Sequence, residues 1–297
     1  MPRITWNKVK GEIVQDYSLR KPLISKISKH FDHRYVVTLY TRFGSAAVIG
    51  DDDQEMLINL LGGSKTALSH KILLLINSPG GDPLAAERII KALAEYSDND
   101  YWALVPGTAK SAATMICLGA TKVILSPTSE LGPIDLQIIR GNTLIPAYSI
   151  ITAYDNLIDK GIKLKEDQRI EPILQQLEGF DASQIEHFRQ VNKLSEDIAQ
   201  KVLRKGMCKK LKAADVKELI KIFSDPTKSK THGRPIYYSD IKDSDKKKNF
   251  TLQLIKPTDK IWEDITEYHT RTIFHLTQTG TLKLIESDEM SYSAGGQ

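Results

Sequence analysis

The sequence predicts an α/β protein built on a parallel β-sheet, and three observations carry that expectation. Ile72-Leu73-Leu74-Leu75-Ile76 is an uninterrupted apolar run, the pattern of a strand covered on both faces. It leads through a turn cluster, Asn77-Ser78-Pro79-Gly80-Gly81-Asp82, into a segment with Ala85, Ile89, Ala92 and Leu93 on one helical face. The alternation then repeats. Trp102 to Val105 reads as a strand, Ser111 to Leu118 as a buried helix, and Lys122 to Leu125 as a further strand. Strands and helices alternating at this spacing form βαβ units with right-handed crossovers.

The chain has 297 residues, 41% of them hydrophobic and 26% charged. That composition excludes wholesale disorder, and the length supports one large domain with an extension. The first 34 residues are mixed and basic and read as a partly ordered arm. From Tyr35 to Tyr40 the chain is β-branched and aromatic, hence a strand. Ala46 to Ile49 reads as a second short strand. Asp51-Asp52-Asp53 then opens a helix with Met56, Leu57, Leu60 and Leu61 on its inner face. The core thus spans residues 35–160.

Residues 161–286 read as a mainly helical extension. Tyr148 to Lys160 is helical by its apolar register, and Ser183-Gln184-Ile185-Glu186 reads as a capping box opening a long helix to about Gly206. Ala213 to Ile222 is another helix. Asp225 to Gly233 and Lys242 to Lys248 are polar loops. Thr251 to Ile255 alternates as a half-buried strand, and a last helix covers Asp259 to Leu276. The tail, residues 287–297, reads as disordered.

No stretch approaches the ~18 apolar residues of a spanning helix, and Met1 to Lys10 carries no apolar signal core. Cys117 and Cys208 lack any CxxC spacing. A cytoplasmic location is therefore expected, with peripheral membrane association open. The histidines His30, His33, His70, His187, His269 and His275 lack metal-like spacing. No metal or cofactor is expected. The net charge is +4, which does not by itself call for nucleic acid. Lys201 to Ile222 carries eight Lys/Arg against two acids. Without interleaved aromatics this reads as a solvated helix face, with anionic lipid as the alternative partner and nucleic acid disfavoured.

Two turns are candidates for chemistry. At Ser78-Pro79-Gly80-Gly81 the glycines leave backbone N–H groups unscreened ahead of a helix N-terminus, an anion-binding nest. An ordinary strand-to-helix turn is the alternative. At Gly107-Thr108-Ala109-Lys110-Ser111-Ala112-Ala113, Ser111 starts a helix whose dipole favours a developing alkoxide. A plain N-cap serine is the alternative there. Both turns lie at the C-terminal ends of consecutive strands, the edge where open parallel sheets bind ligands.

The segments INSPGGDPLAAERIIKAL, VPGTAKSAATMICLGATKVILSP and SELGPID resemble the Clp-protease and crotonase superfamily. Within it they are most similar to the serine dehydrogenase proteinase family, related to signal peptide peptidase A. The resemblance covers about Val36 to Ile150 and resumes at Thr231-His232-Gly233-Arg234-Pro235-Ile236. It implies a Clp protease/crotonase-like sheet with a helical C-terminal extension, a serine peptidase activity on peptide or protein substrates, and a homo-oligomer. It implies Ser111 as nucleophile, with Gly80 or Gly81 and Ala112 as backbone oxyanion donors.

Clp proteases place a histidine about two dozen residues beyond the serine. Here that neighbourhood holds Ile134 and Asp135. Signal peptide peptidases use a more distant lysine, and Lys160, Lys163 and Lys165 fall 49, 52 and 54 residues after Ser111. Lys163, between Ile162 and Leu164, is the preferred base of a Ser-Lys dyad, since a lysine base must be desolvated to be neutral. Lys110 is a poor base, because side chains adjacent on a helix diverge by ~100°, but it is placed to tune the site. Asp135 either orients a base or caps the next segment. His232, in the THGRPI loop, is a possible neighbour of the site or a turn residue. Two rival functions remain: a crotonase-like acyl-thioester enzyme, with Asp135 as its one obvious carboxylate, and a catalytically silent scaffold. No GxxxxGK[ST] motif is present, so any unfolding power comes from a partner.

Overall fold

The computed structural model describes residues 16–44, 47–64, 71–140, 143–165, 168–225, 234–244 and 250–295. Among them lies a central seven-stranded sheet flanked by helices on both faces. Its parallel part consists of β1 (Tyr35–Thr41), β2 (Ile72–Asn77), β3 (Tyr101–Val105), β5 (Lys122–Leu125) and β9 (Leu252–Leu254). Two antiparallel strands, β10 (Lys283–Glu286) and β11 (Ser291–Ala294), complete the order β11-β10-β1-β2-β3-β5-β9. Two small sheets lie outside it. They pair β4 (Thr108–Ala109) with β6 (Glu130–Leu131), and β7 (Gln137–Arg140) with β8 (Thr143–Pro146).

Strand β2 is the centre of gravity, and all of Ile72 to Ile76 are fully buried. At about 2 kcal/mol for each large aliphatic side chain, this run contributes on the order of 10 kcal/mol, as much as the net stability of a typical domain. Alternate residues serve opposite layers. Leu74 and Ile76 face Leu57, Ile89 and Met115, from helices Asp51–Gly63, Pro83–Tyr96 and Ala112–Leu118. Leu73 and Leu75 face Leu23, Ile27, Trp262 and Ile265, from helices Tyr17–His30 and Lys260–Thr279.

That second layer sharpens the expectation of a partly ordered N-terminal arm, of which residues 1–15 lie outside the described residues. Tyr17–His30 is a helix capped by the Asp16 side chain, with Leu23, Ile24 and Ile27 buried. A parallel sheet needs cover on both faces, and these apolar positions supply it. Arg20 donates through Nε and its terminal nitrogen to the two oxygens of Glu286, at 3.0 and 2.6 Å. Both side chains are essentially inaccessible. Tyr268 and Ser291 hydroxyls donate to the same carboxylate, so this buried charge is fully paired and hydrogen-bonded.

Other boundaries also change. Within residues 161–286, β9 and β10 add strands to the central sheet. β11 pairs with β10, so Ser291 to Ala294 are not a disordered tail. Of the short strand expected at Ala46 to Ile49, Ala46 lies outside the described residues, Ala47 and Val48 form no strand, and Ile49 bridges to Gly81. The long helix begins at Ala182, capped by Asp181, whose carboxylate accepts from the Ser183 and Gln184 amides. The β7–β8 hairpin precedes helix Ala147–Ile162, in a stretch to which the sequence pattern assigns no element. The two polar loops lie largely outside the described residues, as does His232. Among the described residues no helix is long and apolar enough to cross a membrane.

His269 lies within the second layer, its Nδ1 3.2 Å from the Tyr40 hydroxyl. Burial lowers its pKa from 6.5 to about 4. The unfolded chain therefore takes up a proton that the folded chain refuses, and stability falls as pH drops from 6.5 through 4. The loss reaches about 3 kcal/mol. Denaturant unfolding of wild type and His269→Gln across that window should show this slope in the wild type and lose it in the variant.

Candidate active site

The site is assembled by two turns that hydrogen-bond to each other. The Ser78 amide donates to Thr108 C=O at 2.9 Å, and the Lys110 amide donates to Ser78 C=O at 3.0 Å. Asn77 at the end of β2 accepts from the Thr108 amide at 2.9 Å. These bonds lay the SPGG turn alongside the chain that enters Ser111. The contact leaves no room for side chains. A Cβ on Gly80 would stand 2.6 Å from Lys110 O and 2.7 Å from Ser111 Cβ. On Gly81 it would stand 2.2 Å from Ile49 O. Gly80 also has φ +103°, which favours glycine.

Ser111 occupies the N-cap position of helix Ala112–Leu118 with φ 48° and ψ −119°, and its side chain caps nothing. That geometry rejects the reading of a plain N-cap serine. A non-glycine residue held at positive φ stores strain and persists only where its surroundings over-determine it. Here they do. The Met115 amide bonds Ser111 C=O, and the Ala113 amide bonds Lys110 C=O. Thr114 Oγ1 donates toward Ala109 and Gly132 C=O at 2.8 and 3.0 Å. The hydroxyl of Ser111 projects from a sharp strand-to-helix turn, half-buried. Within the described structure, the Gly81 and Ala112 N–H groups make no hydrogen bond. Gly80 N–H is occupied, donating to Ser78 Oγ at 3.1 Å.

Ser111 opens into a cavity of about 530 Å³ lined by both turns and by Val48, Met115, Ile134, Asp135, Leu136, Gln137, Val191 and Ser195. The lining is mostly apolar. Its ionisable members are Lys110 and Asp135. Lys110 Nζ is held by Glu130 at 3.0 Å and by Leu131 C=O at 3.3 Å. Its stem packs so closely on Gly132 that a Cβ there would lie 2.4 Å from Lys110 Cδ. Asp135 accepts from Gln137 Nε2 at 3.0 Å.

Lys163 is not brought to Ser111 within one chain. It caps helix Ala147–Ile162, whose first amide bonds the pocket residue Leu136. Sixteen residues of helix carry it about 24 Å along the axis. Its ammonium is 77% exposed and lies 3.8 Å from Asp159. Lys160 is likewise exposed. Sequence reasoning missed Ile49, which brackets Gly81, and it missed Val191 and Ser195, because nothing local ties helix Ala182–Lys205 to this cavity. Cys117 is no rival nucleophile, since complete burial raises its thiol pKa. Among the described residues no cluster of three His, Cys, Asp or Glu side chains is arranged to hold a metal.

The parallel α/β sheet thus holds Ser111, at positive φ, between two apposed turns at its carboxyl edge. The ClpP-like SDH-type serine proteinase family matches residues 48–244, and the chain belongs to it. Among curated proteins it is similar to Uncharacterized protein MJ0137 of Methanocaldococcus jannaschii, 31% identical over 162 residues, 52% of each chain. It is also similar to Uncharacterized protein MJ1495 of the same organism, 35% identical over 97 residues, 33% of this chain and 30% of that one. The chain thus spans about half, or less, of the length of these relatives.

Ser111→Gly should raise unfolding free energy by about 1 kcal/mol in denaturant titration, by relieving the positive φ. Gly80→Ala should lower it by about 2 kcal/mol or more, because the clashing atoms are backbone.

Proposed function

We propose that this chain is a peptidase in which Ser111 Oγ attacks a peptide carbonyl and forms an acyl-enzyme. The observation that carries the proposal is a positive-φ serine beside the glycine turn, where, among the described residues, the Gly81 and Ala112 amides make no hydrogen bond. A tetrahedral intermediate places its oxyanion where such donors converge, and each donor is typically worth about 3 kcal/mol of barrier. Gly81 is the better donor of the glycine pair, because Ser78 already takes the Gly80 amide. The apolar lining favours an apolar substrate side chain next to the scissile bond.

The base in this proposal is Lys163 of a neighbouring copy. The side chain points into solvent at the far end of its helix. Beside it Ile162, Ile170 and Leu174 are exposed apolar groups, the composition of a surface that another copy covers. Burial there would lower the lysine pKa and leave a neutral amine to take the Ser111 proton and return it to the leaving amine. Asp135, hydrogen-bonded by Gln137, borders the site as an orienting group, and Lys110 supplies fixed positive charge near it.

Ser111→Ala should lower peptide turnover at least about 10³-fold with melting nearly unchanged. Lys163→Ala should be equally impaired, and co-assembly of the two inactive variants should restore turnover by pairing an intact serine with an intact lysine. Full turnover in Ser111→Ala sinks the peptidase reading. Silence of the co-assembled mixture sinks the shared site.

A further inference from the structure

We propose that Lys283, on β10, is a positioning residue for the Ser111 site, acting through the Ile49–Gly50 segment on the amide of Gly81. The inference rests on the peptidase reading above. Its chain of contacts is short and continuous. Lys283 Nζ donates to Asp53 Oδ2 at 2.8 Å and to both Asp52 oxygens at 2.7 and 2.9 Å. The same Asp53 oxygen accepts from the Gly50 amide at 2.7 Å. Ile49, the next residue back, donates its N–H to Gly80 C=O at 2.8 Å, and its C=O accepts from Asp82 N–H at 2.9 Å. Those two bonds flank Gly81 on either side and leave its own N–H free.

The charges explain why the lysine matters. Asp53 is 1% exposed and its other oxygen has no hydrogen-bond partner. Burial pushes its pKa up, against the pull of Lys283 and the Gly50 amide. With Lys283 in place the carboxylate stays charged and holds Gly50 firmly. Without it the buried carboxylate is uncompensated and must protonate or swing toward water. Either response loosens Gly50, and Ile49 moves with it. Gly81 tolerates little of that movement, since a Cβ built on it would stand only 2.2, 2.4 and 2.9 Å from Ile49 O, N and C. Misplacement of a donor by about 1 Å costs on the order of a hundredfold in rate. Exposed Asp52 makes no contact with Gly50 N–H and serves as the control.

The test uses the full chain and a fluorophosphonate probe. Ser111 Oγ bonds to phosphorus, fluoride leaves, and the phosphoryl oxygen occupies the oxyanion position while the serine proton passes to the base. Lys283→Gln should slow labelling at saturating probe by about tenfold or more, with half-saturation unchanged within about twofold. Asp52→Asn should label as wild type does. Where Lys283→Gln does not unfold cooperatively, the same measurement is made on Asp53→Asn, which keeps the shape and an acceptor oxygen. Wild-type labelling with an unchanged rate in the variant overturns the positioning role alone. A slowed rate accompanied by weakened half-saturation and a lowered melting temperature also overturns it, since general loosening then accounts for the loss. Wild type that does not label at Ser111 overturns the peptidase reading and this inference with it.

Discussion

The backbone hydrogen bonds between Ser78 and the Thr108–Lys110 segment are the constraint on which the rest of the site depends. They join the turns after two adjacent parallel strands, so the sheet's own spacing sets the distance between the glycine pair and the serine. Strands in a sheet stand about 4.8 Å apart, close enough for one turn's amide to stand beside the other's hydroxyl. Gly80 follows from this closeness, because a Cβ there would collide with Lys110 O and Ser111 Cβ; Gly81 is set by the Ile49 backbone and Gly132 by Lys110. The strain at Ser111 is sustained by the same packing.

The strand β10 carries a buried ion on each face. Lys283 reaches the acids of helix Asp51–Gly63, and Glu286 reaches Arg20 of helix Tyr17–His30. A slip of one residue would exchange the faces, bringing each ion to a layer without its partner. Such pairs add little net stability over apolar residues, but they penalise wrong register heavily. Leu284 and Ile285, each buried in a different layer, would tolerate a slip far better than the two charges.

Strands β1, β2, β3 and β5 were legible because each is encoded locally by a β-branched, aromatic or apolar run, whereas β9 joins them only through its distant partner β5. The neighbouring placement of the SPGG turn and the turn at Ser111 was legible because both follow consecutive strands. What lay beyond the sequence depends on distant partners. Tyr17–His30 has no strong apolar run, and only the uncovered sheet face makes a helix of it. Lys283-Leu284-Ile285-Glu286 reads as half polar, since its charges are neutralised by residues far away in the chain. Lys163 is singled out among three lysines by its apolar neighbours Ile162 and Leu164, but flanking composition does not register that the end of this helix, Ile162 included, stands in solvent. Asp181 displaced the predicted Ser183 cap because its carboxylate reaches two amides at once.

Strand β10 pairs with β1 across a separation of 248 residues between Glu286 and Thr38. β1 therefore waits until residues 283–286 are made before its outer edge is covered. Until then the sheet has an open edge and an exposed apolar face, and long-range closure of this kind is slow and prone to aggregation. The serine, the glycines and their strands are all made early, whereas the segments that complete the second layer come late. Order of synthesis thus separates the appearance of a nucleophile from the completion of the scaffold that holds it.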